Sequence, residues 1–193
     1  MEILSILPVT FITVFIIMNP VLSIVPFLSY TERSSEKDRK TCATKAVTIA
    51  GIIALLFLFL GPFLLSLLHI TLKDFKLAGG LILALLGIET VLGITLGNHN
   101  KNEKNHLNDV AVLIATPLLT GPGLVTTIIV LSNDNGLLIT ALSLLGALFA
   151  SWLVLLNSIR IKKLFGNQTL HVVGKIMGLI LVALGVSYIK GGF

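Results

Sequence analysis

Long apolar runs separated by short polar stretches dominate the chain. Apolar residues run from about Ser5 to Tyr30, Lys45 to Leu68 and Phe75 to Leu96. They resume from about Asp109 to Ser132, Gly136 to Ser158 and Leu170 to Ile189. Each run is long enough to cross ~30 Å of hydrocarbon as a helix, so the pattern predicts six transmembrane helices. The short alternating segments of a transmembrane β-barrel do not occur. The longest polar stretch, residues 98–108, divides the spans three and three. The predicted organisation is one integral membrane domain over 1–193, with a half at 1–97, a polar cytoplasmic linker at 98–108 and a second half at 109–193.

Two of the spans are interrupted. The first carries Met18-Asn19-Pro20-Val21 and the fourth carries Thr116-Pro117-Leu118-Leu119-Thr120-Gly121-Pro122-Gly123. An unsatisfied backbone group in lipid costs several kcal/mol, so such a break persists only where it is buried in protein or lines a cavity. Asn is a preferred N-cap and Pro suits the first helical position, so Asn19-Pro20 and Gly121-Pro122 each read as a helix restarting inside the membrane. A restart leaves free amides and partial positive charge, which suit a carboxylate. The half-helix before it ends in free carbonyls, which suit an ammonium. The candidate substrate-binding set is therefore Asn19, Pro20, Ser23, Thr116, Thr120, Gly121, Pro122 and Gly123, and the candidate ligand is a small zwitterion. Plain proline kinking is the competing reading, and Pro26 and Gly61-Pro62 are read as such kinks.

The halves repeat. Gly80-Leu81-Ile82-Leu83-Ala84-Leu85-Leu86-Gly87 resembles Gly178-Leu179-Ile180-Leu181-Val182-Ala183-Leu184-Gly185 at an offset of 98, and Pro20 and Pro122 stand 102 apart. Three spans per half is an odd number, so the second half lies inverted. The expected fold is all-α, a 3+3 inverted-topology repeat with discontinuous helices 1 and 4, an architecture of secondary transporters. Gly79, Gly80, Gly87, Gly178 and Gly185 are read first as helix-packing positions, since small residues let helices approach closely. A second reading has these faces packing on the broken helices and leaving room for substrate.

Composition agrees: the chain is 55% hydrophobic and 12% charged, against about 25% charged for a soluble domain, with a mean hydropathy of +1.00. Its net charge of +5 reflects loop bias and not nucleic-acid binding. Eleven of the 14 Lys and Arg residues fall after spans one, three and five or at the adjacent helix starts, and only Lys73, Lys76 and Lys190 fall opposite. The positive-inside rule then puts both termini outside an inner membrane. Glu2 stands where a signal peptide would be basic, so the N-terminus reads as a first span and not a removed leader. Cys42, the single cysteine, reads as an incidental thiol in a charged loop, and Glu32 to Lys40 read as a solvated cytoplasmic connection.

Glu89 lies about 13 residues in from Lys76, roughly 20 Å along a helix. An intramembrane carboxylate is a functional candidate by default, here as an ion-coupling residue; snorkelling to the edge or pairing with a loop lysine is the equal alternative. Asn157 and Trp152 read as capping and packing residues. His69, His99, His106 and His171 fall at loops or span ends without metal-ligand spacing, so neither metal nor cofactor is expected. An intramembrane enzyme would need convergent nucleophile, base or metal ligands, which the spans do not supply. A regulatory or assembly subunit is the third reading, and self-association is left open. No Gly-x-x-x-x-Gly-Lys-Ser/Thr loop suggests an ATP-driven pump.

At these residues the chain resembles the MarC family of six-span bacterial inner-membrane proteins. The resemblance rests on Asn19-Pro20 with Pro26-Phe27-Leu28-Ser29, on Phe75-Lys76-Leu77-Ala78-Gly79-Gly80, on Pro117 to Gly123, and on Gly174-Lys175-Ile176-Met177-Gly178-Leu179. It covers essentially the whole chain, and an acidic residue at the place of Glu89 is part of it. It implies a secondary transporter of small neutral amino acids such as glycine and alanine, with discontinuous first and fourth helices and a substrate site at Asn19, Pro20, Gly121 and Pro122.

Overall fold

A computed structural model describes residues 2–31, 34–93, 111–112 and 114–192. The described residues form helices and no strand. They comprise α1 (Glu2–Met18), α2 (Pro20–Thr31), α3 (Glu36–Leu67), α4 (Leu72–Leu92), a π-helical segment (Ile114–Leu119), α5 (Pro122–Asn135), α6 (Leu137–Leu156) and α7 (Ser158–Gly192). Among the described residues, five stretches are long and apolar enough to cross a membrane: Ile6–Leu28, Glu36–Leu67, Leu72–Leu92, Leu137–Leu156 and Gln168–Gly192. The expected fourth span is not one rod. It is divided into the π-helical segment and the 14-residue α5. The polar linker at 98–108, with His99 and His106, lies outside the described residues.

Helix ends follow local chemistry. Ser35 caps α3 by accepting from the Asp38 amide at 3.1 Å. Thr71 and Asp74 form a reciprocal capping box at the start of α4, and Gly93, in the left-handed region at φ 68°, ends it. At ~1.5 Å per residue, the 32 residues of α3 reach roughly 48 Å, beyond the hydrocarbon thickness. The charged segment expected as a loop is therefore helical from Glu36 onward, and the Ser35 cap is the cause. Cys42 moves with it: it is not a loop thiol but a buried residue on α3.

Packing is carried by small residues. The most extensive interface joins α4 and α7, which run antiparallel. A Cβ built at Gly80 would lie 2.6 Å from the Gly185 carbonyl oxygen, and one at Gly87 would lie 2.6 Å from that of Gly178. No side chain larger than hydrogen fits either crossing. These glycines thus pack against each other and not, as one reading had it, against the broken helices. Gly79 turns the other way, onto Thr126 of α5. The first broken helix packs on α6 and the π-helical segment on α3. The buried core runs through these contacts, from Val14, Met18 and Phe27 to Leu83, Ile128 and Leu144. Large apolar side chains on other faces, such as Phe59, Phe63 and Leu67 of α3, are exposed, as suits helices bathed in lipid. Trp152 donates its Nε1–H to Thr44 Oγ1 at 3.0 Å, tying α6 to α3.

Candidate functional site

Asn19 is the whole of the first break. Its φ is +44°, a left-handed value that Asn tolerates better than other side-chain-bearing residues. Its N–H donates to the carbonyls of Phe15 and Ile16, both at 3.1 Å, closing α1. Its Oδ1 accepts from the Leu22 N–H at 3.4 Å, capping α2. One residue thus ends one helix and starts the next. Glycine could take the backbone shape but not supply the cap. Pro20 follows at the first helical position, where its missing N–H leaves nothing unpaired.

The second break is wider. Pro117 and Pro122 each remove a backbone donor, and the chain between them takes a π-helical turn, with the Thr120 N–H reaching the Ala115 carbonyl at 2.8 Å. Thr120 then turns outward: its buried hydroxyl donates to the Ala50 carbonyl of α3 at 3.1 Å. Gly121 is the N-cap of α5, extended at φ −72° and ψ 170°, with no side chain to cap the helix. It leaves the first α5 amides without a side-chain acceptor.

Both restarts open on one cavity of about 470 Å³, within the size range of small-molecule sites. Asn19, Leu22 and Ser23 line it from the first turn of α2, and Gly121, Gly123 and Leu124 from that of α5. Leu83, Leu86, Glu89 and Thr90 line it from α4; His171, Lys175 and Leu181 line it from α7. Ile17 closes it beside the last turn of α1. The Ser23 hydroxyl donates to the Asn19 carbonyl at 3.2 Å, so its lone pairs stay open to accept.

Five expected residues therefore converge: Asn19, Ser23, Gly121, Gly123 and Glu89. Three do not line the cavity. Pro20 and Pro122 start their helices behind the lining, and Thr120 is anchored to α3. The side chain of Thr116 lies outside the described residues. Thr126 and Thr127 donate to carbonyls of their own helix, Pro122 and Gly123, at 2.9 and 2.8 Å. Glu89 is half-buried near the end of α4, four residues before Gly93, and lines the cavity from that end of the helix.

Thr90, His171 and Lys175 were not expected in the lining. His171 and Lys175, both in the expected sixth span, are four residues apart on α7 and so share a face. The signal for them is the glycine register. The α4–α7 contacts that pair Gly80 with Gly185 and Gly87 with Gly178 bring Thr90 level with Lys175.

A family model described as MarC family integral membrane protein matches residues 4–193. The chain is 31% identical over 190 residues to a UPF0056 membrane protein of Methanocaldococcus jannaschii, covering 94% of this chain and 93% of that one. It is 31% identical over 190 residues to a UPF0056 membrane protein of Buchnera aphidicola subsp. Baizongia pistaciae, covering 94% and 92%. A third, from Aquifex aeolicus, is 29% identical over 191 residues, covering 94% and 89%. No solved structure matches the chain.

Proposed function

The chain belongs to the MarC family of integral membrane proteins, and we propose that within the membrane it is a secondary transporter of small neutral amino acids, of the size of glycine or alanine. One observation carries this reading: the first turns of α2 and α5 line the same cavity. Helix N-termini offer amides and partial positive charge to an anion, so two of them facing one space form a seat for a carboxylate. The last turn of α1 lies beside that seat, and carbonyls at a helix C-terminus suit the ammonium of the same zwitterion. Elsewhere the wall is chiefly apolar, formed by Leu22, Leu83, Leu86, Leu124 and Leu181. A solute with no net charge and a short side chain meets both requirements.

The repeat supports alternating access. An offset of 98 residues carries Gly80 onto Gly178 and Gly87 onto Gly185. The same offset turns the Gly80–Gly185 contact into the Gly178–Gly87 contact. A twofold relation between α4 and α7 has this property, and we read it as the axis of a 3+3 inverted repeat. The two halves would rock about it to expose the site first to one side and then to the other. Lys and Arg placement in the sequence favours a cytoplasmic side for the Glu89 end of α4 and an outside position for both termini. Glu89, an intramembrane carboxylate in the lining, would carry a coupling proton or cation.

The test is uptake of labelled glycine and alanine into liposomes holding the purified protein alone. Gly121→Leu keeps an allowed backbone and fills the cavity, so uptake should be lost while the variant remains monodisperse. Undiminished uptake in that variant would remove the site from these residues. Absence of uptake by the unaltered protein, together with no thermal stabilisation by any small amino acid, would remove the transport reading.

A further inference from the structure

We propose that the ion pair between Lys76 and Asp134 is the latch that holds the closed end of the cavity shut. The inference rests on the transport reading above and concerns which contact must part for the site to face the other side.

Along α4, every residue that lines the cavity lies from Leu83 toward Gly93. In the opposite direction α4 is sealed against α5, which runs antiparallel to it. Gly123 takes Leu83, with a built Cβ only 2.6 Å from Leu83 Cδ2, and Gly79 takes Thr126 so closely that no Cβ fits. At the far end Lys76 Nζ lies 2.9 Å from Asp134 Oδ2 and 3.3 Å from Oδ1. Asn133 Nδ2 donates to the same carboxylate at 3.2 Å. An adjoining face of α5 is held by Ile129 against Gly61 of α3. Helix α5 is thus the plug, and its end is the place where a small force has most leverage.

The two kinds of contact differ in what parting them costs. Glycine contacts are close packing, which lipid can only partly replace. The ion pair is part-exposed, at 19% and 43% of its side chains, so water can take over each charge at small cost. It therefore specifies the closed arrangement without locking it. The Lys40–Glu36 ion pair, by contrast, lies within one helix and joins no two elements.

The experiment is cysteine accessibility in the full-length protein, with Cys42→Ala removing the native thiol. Thr126→Cys reports the sealed α4–α5 seam and Thr90→Cys reports the open mouth. A membrane-impermeant maleimide is applied to right-side-out and to inside-out vesicles. With the latch intact, T90C labels from one face and T126C is protected from the other. Adding Asp134→Asn or Lys76→Met should raise T126C labelling about two- to fivefold, the population shift given by losing a part-exposed pair. The exchanged pair K76D/D134K, and K76R alone, should restore protection. Equal T126C labelling with and without the pair would overturn the latch, as would an exchanged pair that labels as fast as D134N. If D134N does not fold, K76M against K76R makes the same comparison. Loss of glycine uptake by the unaltered protein with the labelling shift intact would sink the transport reading and leave the latch standing.

Discussion

Gly80 on α4 and Gly185 on α7 meet backbone against backbone: a Cβ added to either would lie 2.6 or 2.5 Å from the other's carbonyl oxygen. Real Cβ contacts are longer than 3.0 Å, so the helices must move apart to admit a methyl group. Overpacking of this kind costs roughly 1–3 kcal/mol, which exceeds the ~1 kcal/mol that alanine gains over glycine in helix propensity. Gly80→Ala and Gly185→Ala should each destabilise the protein by a net of up to ~2 kcal/mol, seen as a lower thermal midpoint in detergent. Gly191, exposed and with nothing near a built Cβ, is the control, and Gly191→Ala should not destabilise. Equal midpoints for all three variants would show that the α4–α7 crossing has room to spare.

Asn19 separates backbone shape from side-chain chemistry. At φ +44° an alanine is strained by about 1–2 kcal/mol and also loses the cap to Leu22, which is typically worth ~1 kcal/mol. Glycine is unstrained there, and at a cap position it costs only a few tenths of a kcal/mol. Asn19→Ala should therefore destabilise the protein by about 2 kcal/mol and Asn19→Gly by less than about 1. Because the Gly variant keeps the fold but removes the amide that lines the cavity, its affinity for free glycine should fall about two- to tenfold, the range of one neutral hydrogen bond. Thermal unfolding and ligand-dependent stabilisation measure the two effects separately. A Gly variant that binds as tightly as the unaltered protein would remove the Asn19 side chain from the site.

Much of this arrangement is legible in the sequence, for an identifiable reason. Asn19-Pro20 and Gly121-Pro122 break helices by local chemistry alone, so their positions could be read without knowing what packs beside them. Four of the expected cavity residues, Asn19, Ser23, Gly121 and Gly123, converge because a restart necessarily places its first turn at the break. What could not be read depends on rotation about a helix axis. Thr120 is one residue from Gly121, yet its hydroxyl points to Ala50 of α3, because a π-helical turn changes the angular position of everything after it. Cys42 was misplaced since charge alone made its surroundings look like a loop; the Ser35 cap starts the helix earlier than hydropathy does. His171 and Lys175 read only as residues at the start of the sixth span until the Gly80–Gly185 register aligns α7 with α4. The register was present in the repeat, but its antiparallel pairing is a tertiary fact.

Glu89 lines the cavity together with Thr90, His171 and Lys175, and its place on α4 separates its role from that of the helix restarts. A residue on α4 belongs to neither helix restart that seats the substrate carboxylate, so removing its charge should spare binding. A residue that carries the coupling ion must change occupancy during each cycle, so removing its carboxylate should uncouple transport. Glutamine keeps the size and polarity of Glu89 and cannot exchange a proton. In Glu89→Gln, stabilisation by free glycine should stay within about threefold of the unaltered protein, a change well under one kcal/mol. Counterflow exchange of glycine between equal pools should persist. Net uptake driven by an imposed pH or sodium gradient should fall to the rate seen without a gradient. If gradient-driven uptake survives in Glu89→Gln, the coupling ion is carried elsewhere. If binding is lost together with uptake, Glu89 belongs to the substrate seat itself, and the seat extends from the helix restarts to α4.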